Sequence, residues 1–281
     1  YCQQYTHFIH CEFHCPCLQP PEDGADALVA SGKAQFGISF QDTMAPGVVG
    51  EDELPTTAVA AVVQHNTSGI ISRKGEGMDT PKGLEGKKYA TWDAPIEKAM
   101  MENVVEADGG DFSKVELIPS TVTDEVSALE SKSVDAIWIF YAWAGVATEV
   151  AGLETDYFAF KDINPAFDYY TPVIIGNNEF LEKEPETAKK FLSAVKKGYE
   201  DAIEDPDGAA EILCEAAPEL DQELVKASQE YLKDQYIADA DRWGYIDPDR
   251  WNLFYNWLNE NGLTENEIPE NTGFSNEYLP E

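Results

Sequence analysis

Positive charge is the scarcest property of this sequence. Nineteen Lys and Arg residues stand against 53 Asp and Glu, a formal net charge of −34, and Arg occurs only at Arg73, Arg242 and Arg250. A surface of that sign repels phosphate backbones, so no nucleic acid partner is expected. Long apolar runs are missing too, and no membrane-spanning helix is expected. A basic start followed by an apolar stretch is likewise absent, so no signal peptide is expected in the sequence as it stands. Composition fits either a cytoplasmic chain or a processed, exported one. The acidic exterior fits the latter, although its plainest reading is solubility. There is no Ser/His/Asp set, no phosphate loop and no zinc-protease helix motif.

Cysteine and histidine are rare except in one place. Cys2, Cys11, Cys15 and Cys17 and three of the four histidines (His7, His10, His14) fall in the first 17 residues, leaving Cys214 and His65 for the rest. The His10-Cys11-x-x-His14-Cys15-x-Cys17 cluster has residue types that bind zinc or iron. It lacks a second half at zinc-site spacing, and adjacent ligands suit a tetrahedral site poorly. No metal and no cofactor are expected, and this run reads as disulfide-bonded or as a foreign leader.

What is present is an α/β pattern. Residues 23–31 read as a helix stopped by Gly32, 35–40 as a strand ending at Gln41 and Asp42, and 57–63 and 69–73 as strands. A strand at 87–91 runs into Trp92-Asp93-Ala94-Pro95 and a helix to about residue 107, with Asp93 as cap and Pro95 in the first turn. A strand at 115–118, a helix at 121–131 with a Thr121/Asp124 pair, and a strand at 134–141 follow. Strands alternating with helices predict βαβ units and mostly parallel sheets. After residue 178 the chain reads as four helices. In the last, Trp251, Phe254, Tyr255 and Leu258 share one face and are expected in the core.

Several stretches resemble the NMT1/THI5-like branch of the periplasmic solute-binding proteins. They are Ala27-Leu-Val-Ala-Ser-Gly-Lys-Ala-Gln-Phe-Gly37, Gly83-Leu-Glu-Gly-Lys-Lys-Tyr-Ala90, Ser133-Val-Asp-Ala-Ile137, Asn178-Glu-Phe-Leu181 and the closing Thr272-Gly-Phe-Ser-Asn-Glu-Tyr-Leu279. Their order and spacing cover the chain from about Pro20 onward. The resemblance implies a two-lobed, type II binding-protein fold, each lobe a mostly parallel sheet flanked by helices. Lobe I is expected at 1–65 and 172–281, with 1–19 an atypical leader, and lobe II at 66–171. It also implies an extracytoplasmic receptor, periplasmic or lipid-anchored, that is monomeric and delivers a small molecule to an ABC permease. The expected ligand is a planar heterocycle such as hydroxymethylpyrimidine or formylaminopyrimidine, held between the lobes. Residues 1–17 match nothing in the family's opening, so a truncated first lobe is expected.

Candidate ligand residues follow from strand ends, where ligands gather in open α/β sheets. Trp92 offers a stacking face, and Asp93 or Glu97 an acceptor for an exocyclic amine. Tyr141 and Trp143 lie beyond the apolar run of their strand, and the resemblance favours them as ligand walls, whereas Trp138 and Phe140 alternate onto a core face. Gln41 and Asp42 end a first-lobe strand. The resemblance implies two segments crossing between the lobes, near 64–66 and 170–172; His65 and Asn66 fall at the first, and Tyr169 and Tyr170 at the second. Two alternatives stand beside this reading. One is a sulfonate receptor, weakened by the lack of Arg. The other is a metal-dependent pyrimidine synthase, whose relatives carry a cysteine-rich run where this chain has Asp168-Tyr-Tyr-Thr-Pro172. No enzyme activity is expected.

Overall fold

The computed structural model describes residues 24–120 and 122–280. The Cys/His cluster, the 1–19 leader and the Thr121 half of the expected cap pair lie outside the described residues. In chain order, α1 (Gly24–Ala30), β1 (Phe36–Ser39), α2 (Gln41–Met44) and β2 (Thr56–Ala61) come first. They are followed by β3 (Ser68–Arg73), β4 (Lys88–Thr91), α3 (Pro95–Ala107), β5 (Glu116–Pro119), α4 (Glu125–Glu130), β6 (Ala136–Phe140), α5 (Val146–Val150), β7 (Thr155–Ala159) and α6 (Phe160–Ile163). The chain then forms β8 (Val173–Asn177), α7 (Asn178–Lys183), α8 (Pro185–Glu204), α9 (Pro206–Ala216), α10 (Gln222–Leu232) and α11 (Pro248–Glu260).

These elements group into two units. Unit 2 is Thr67–Asp168, and unit 1 takes the described residues on either side, up to Asn66 and from Tyr169 onward. Asn66 and Tyr169 to Thr171, expected in the second lobe, therefore belong with unit 1.

In unit 1, β8 lies between β1 and β2 and pairs antiparallel with both, with a bulge in β2 between Ala58 and Ala60. Its helices bury the expected aromatic face: Trp251, Phe254 and Leu258 have no exposed surface. Asp247 caps α11 by accepting from the Arg250 backbone N–H at 3.0 Å, and Pro248 fits the first turn because its missing N–H is not needed there.

In unit 2 the strand order is β5-β4-β6-β3-β7. Among the described residues, β4 pairs parallel with β5 and with β6, and β3 runs antiparallel to β6 and to β7. Both sheets thus depart from the expected mostly parallel arrangement. The physical reason is that β3 is buried along its whole length. An all-buried run looks the same in sequence whichever way its neighbours point. Ile71, Ala90, Leu129, Val134, Ile137 and Ile139 form the core on one face of this sheet.

Candidate functional site

The parallel neighbours β4 and β6 bring two carboxyl ends to the same edge of unit 2, and each continues into an unusual segment. After β4 the chain passes through Trp92 and Asp93 into α3. Asp93 sits at φ 63°, a left-handed conformation that a short polar residue tolerates. It does not cap α3, as its position suggested. Ala94 holds the cap position without a side-chain bond, and the Asp93 carboxylate pairs with Lys98 at 2.8 Å in the open.

Glu97 does the ordering instead. Its carboxylate is buried, 4% exposed, and accepts from the Tyr89 hydroxyl at 2.6 Å, the Thr91 hydroxyl at 3.1 Å, the Trp92 N–H at 3.0 Å and the Ala94 N–H at 3.3 Å. Burial and this carboxylate push the Tyr89 phenol well above its ordinary pKa. Glu97 is therefore turned inward to hold the loop, and its oxygens are engaged within the protein rather than offered to a ligand amine. Trp92 is what the loop presents. Its side chain is 53% exposed, and its ring leans on Trp138 at 5.6 Å. Trp138 in turn packs on Phe160 at 4.2 Å.

After β6, Tyr141–Gly145 form a wide π-type turn, the kind of irregularity that recurs at functional sites. The Tyr141 N–H donates to the Thr67 carbonyl at 2.9 Å, its hydroxyl donates to Glu149, and its ring lies 4.7 Å from that of Tyr157. Gly145 is needed beneath that ring, because a Cβ there would meet Tyr141 Cδ2 at 2.5 Å. Tyr141 and Trp143 are both half-buried. Phe140, expected in the core, is 36% exposed.

The unit 1 candidates form a different cluster. Gln41 is fully buried and wholly engaged: its N–H donates to the Tyr170 carbonyl at 3.0 Å, its Nε2 to the Trp251 carbonyl at 2.8 Å, and its Oε1 accepts from the Tyr170 N–H at 2.9 Å. Tyr169 and Tyr170 are each 1% exposed; Tyr169 stacks on Phe254 at 4.2 Å. The Tyr170 hydroxyl accepts from the Asp247 N–H at 2.9 Å, and the Arg250 guanidinium lies 5.2 Å over its ring. Both rings are buried within unit 1. Arg250 also donates to the carbonyl of Gln64. Next to Gln64, His65 pairs with Asp239 at 2.9 Å and Asn66 is buried.

Asp42 is the exception. The residue is partly exposed, yet its Oδ1 is sealed from solvent and has no hydrogen-bond partner among the described residues. Desolvation raises its carboxyl from the ordinary 3.8 to about 6, against the opposing hydrogen bonds of the backbone and of the Tyr169 side chain, with Asp26 adding like-charge repulsion.

Among the described residues no group of three or more His, Cys, Asp and Glu is placed to hold a metal. No described helix is long and apolar enough to cross a membrane. The one residue that sequence reasoning set aside and the geometry brings back is Trp138. Alternation assigned it to the core, but it touches the exposed Trp92.

Two α/β units with candidate groups at sheet ends define the fold of the periplasmic solute-binding proteins. The putative sulfonate ABC transporter periplasmic sulfonate-binding protein SsuA from Methylobacillus flagellatus KT shares it, with a TM-score of 0.66 over 91% of this chain and 76% of that one at 16% identity. The chain belongs to the NMT1/THI5 like family, whose model matches residues 17–209. It is 26% identical to the formylaminopyrimidine-binding protein of Halalkalibacterium halodurans across 88% of this chain and 76% of that one. It is 25% identical to the 4-amino-5-hydroxymethyl-2-methylpyrimidine phosphate synthase THI5 of Saccharomyces cerevisiae, across 74% of this chain and 63% of the synthase.

Proposed function

We propose that this chain is the extracytoplasmic solute-binding component of an ABC importer, and that its ligand is a small planar heterocycle of the aminopyrimidine type. The observation that carries the reading is Trp92: a large indole, half exposed, on a loop that the buried Glu97 holds in place from beneath. A flat apolar face carried on a fixed backbone suits a flat ligand, because the loop itself need not be ordered on contact. Likeness to the formylaminopyrimidine-binding protein supports the ligand class.

A sulfonate ligand finds less support. Arg73, the only Arg of unit 2, is locked in place: it donates to Glu76 and Asp135 and to the carbonyls of Leu129 and Val134. A receptor rather than a synthase is favoured at the second crossing, where Tyr169 and Tyr170 are packed into the core and no cysteine stands nearby in sequence.

Calorimetric titration with hydroxymethylpyrimidine, formylaminopyrimidine, thiamin and taurine tests the proposal, with mass analysis of the mixtures for turnover. Saturable binding of a pyrimidine, returned unchanged, is expected. Binding of taurine alone, or consumption of the protein's own side chains to make a pyrimidine, would sink it.

A further inference from the structure

Trp138 is 6% exposed, and its indole N–H is sealed from solvent with no hydrogen-bond partner among the described residues. A buried donor left unpaired costs about 1–3 kcal/mol, so an aromatic core position would ordinarily be filled by Phe instead. Trp138 lies two residues before Phe140, the exposed end of β6. Among the described residues its ring meets Phe160, with no exposed surface, and Trp92, with half of its surface in solvent. Of these, only Trp92 has space to turn aside. Its backbone is fixed by Glu97, so the motion available to it is rotation of the side chain.

Resting on the small-heterocycle reading above, we propose that the Trp138 indole N–H is a ligand-recognition donor, covered by Trp92 until a ligand arrives. The incoming ring takes an in-plane acceptor, a ring nitrogen or a carbonyl oxygen, to Trp138 Nε1, and Trp92 settles on its face. A ligand without such an acceptor leaves the donor buried and unpaired, and is rejected for that reason.

The test follows indole N–H resonances of the 15N-labelled full chain, the Trp138 signal being identified by its loss in Trp138→Phe. Without ligand, Trp92→Ala is expected to speed solvent exchange of the Trp138 N–H; unchanged exchange overturns the covering role. On titration with hydroxymethylpyrimidine or formylaminopyrimidine the Trp138 signal is expected to move downfield, with taurine leaving it in place, and Trp138→Phe is expected to weaken pyrimidine binding by about tenfold. A pyrimidine that binds without moving the signal, and binds Trp138→Phe as tightly, overturns the donor role while the function stands. Taurine as the only ligand that moves the signal upholds the donor and overturns the heterocycle. A signal that nothing moves overturns the inference whatever calorimetry reports.

Discussion

Glu97 and Trp92 divide one task, the first holding the loop and the second facing outward. Removing the carboxylate with Glu97→Ala leaves the Tyr89 hydroxyl and the Trp92 and Ala94 N–H groups without their acceptor. A loss of about 3 kcal/mol is expected in denaturant unfolding, with Tyr89→Phe losing only about 1 kcal/mol. Equal small losses would show that the loop is held by something else. Asp42 behaves in the opposite sense. Its folded-state carboxyl is raised to about 6 from an ordinary 3.8. The native protein therefore holds this proton more tightly than the unfolded chain does. The associated stability is complete below about 3.8 and is lost as pH rises through about 6. Asp42→Asn should abolish that loss, gaining about 3 kcal/mol at neutral pH and little near pH 4. Melting of both proteins across that range decides it; a constant offset would place the effect elsewhere. The importance of the Trp92 to Glu97 segment was legible in the sequence, but the direction of its carboxylates was not. Glu97 stands three residues after the cap position, where a capping-box acid belongs, and Ala94 in place of Ser or Thr hid the pattern. The burial of Tyr169 and Tyr170 was not legible, because their packing partners, Phe254 and Trp251, lie some 80 residues away in sequence.

At the scale of elements, the alternation of strand and helix was legible through β6, and the helices after α7 were legible from their apolar faces and caps. Strand direction was not, since burial erases the period that would report it. Two strands, β7 and β8, went unseen. Both are five residues long, and β8 follows directly on a proline, Pro172. The π-type turn was also hidden: Tyr141–Gly145 continue a hydrophobic run, and only the backbone shows the widening. That turn depends on Gly145, where a Cβ would meet the Tyr141 ring at 2.5 Å. Gly145→Ala should displace the ring from its contacts with Glu149 and Tyr157, lose about 2 kcal/mol, and change the near-ultraviolet dichroism of the aromatics. Gly152→Ala is the control. It has a left-handed φ of +72° but open space around it, so it should lose about 1 kcal/mol from strain alone and leave the aromatic signal unchanged. An unaltered spectrum in Gly145→Ala would mean that the turn accommodates the methyl without moving Tyr141.

For the molecule as a whole, the governing quantity is charge. With 19 basic residues against 53 acidic ones, pairing every Lys and Arg would still leave 34 carboxylates without a counter-charge. The ion pairs that exist are mostly exposed, such as Lys74 with Glu154 and Lys98 with Asp93, and such pairs contribute little each. Self-repulsion among the remainder opposes compaction, and salt weakens it by shortening the screening length from about 30 Å at 0.01 M to about 3 Å at 1 M. Salt also weakens the exposed pairs, which taken alone would lower stability. The excess of one sign decides which effect wins: like-charge repulsions outnumber attractions. Unfolding spreads the charges apart, so the native state gains more from screening than the denatured one. Sodium chloride raised from 0.01 to 1 M should therefore raise the melting temperature by about 5 °C or more. Most of the rise should come below about 0.3 M, where the screening length changes fastest. A neutral osmolyte such as sucrose, which stabilises by exclusion from the surface, should instead act in proportion to its concentration. A melting temperature that stays flat or falls with salt would mean that the acidic residues are spaced widely enough to be solvated independently. The charge would then bear on solubility alone.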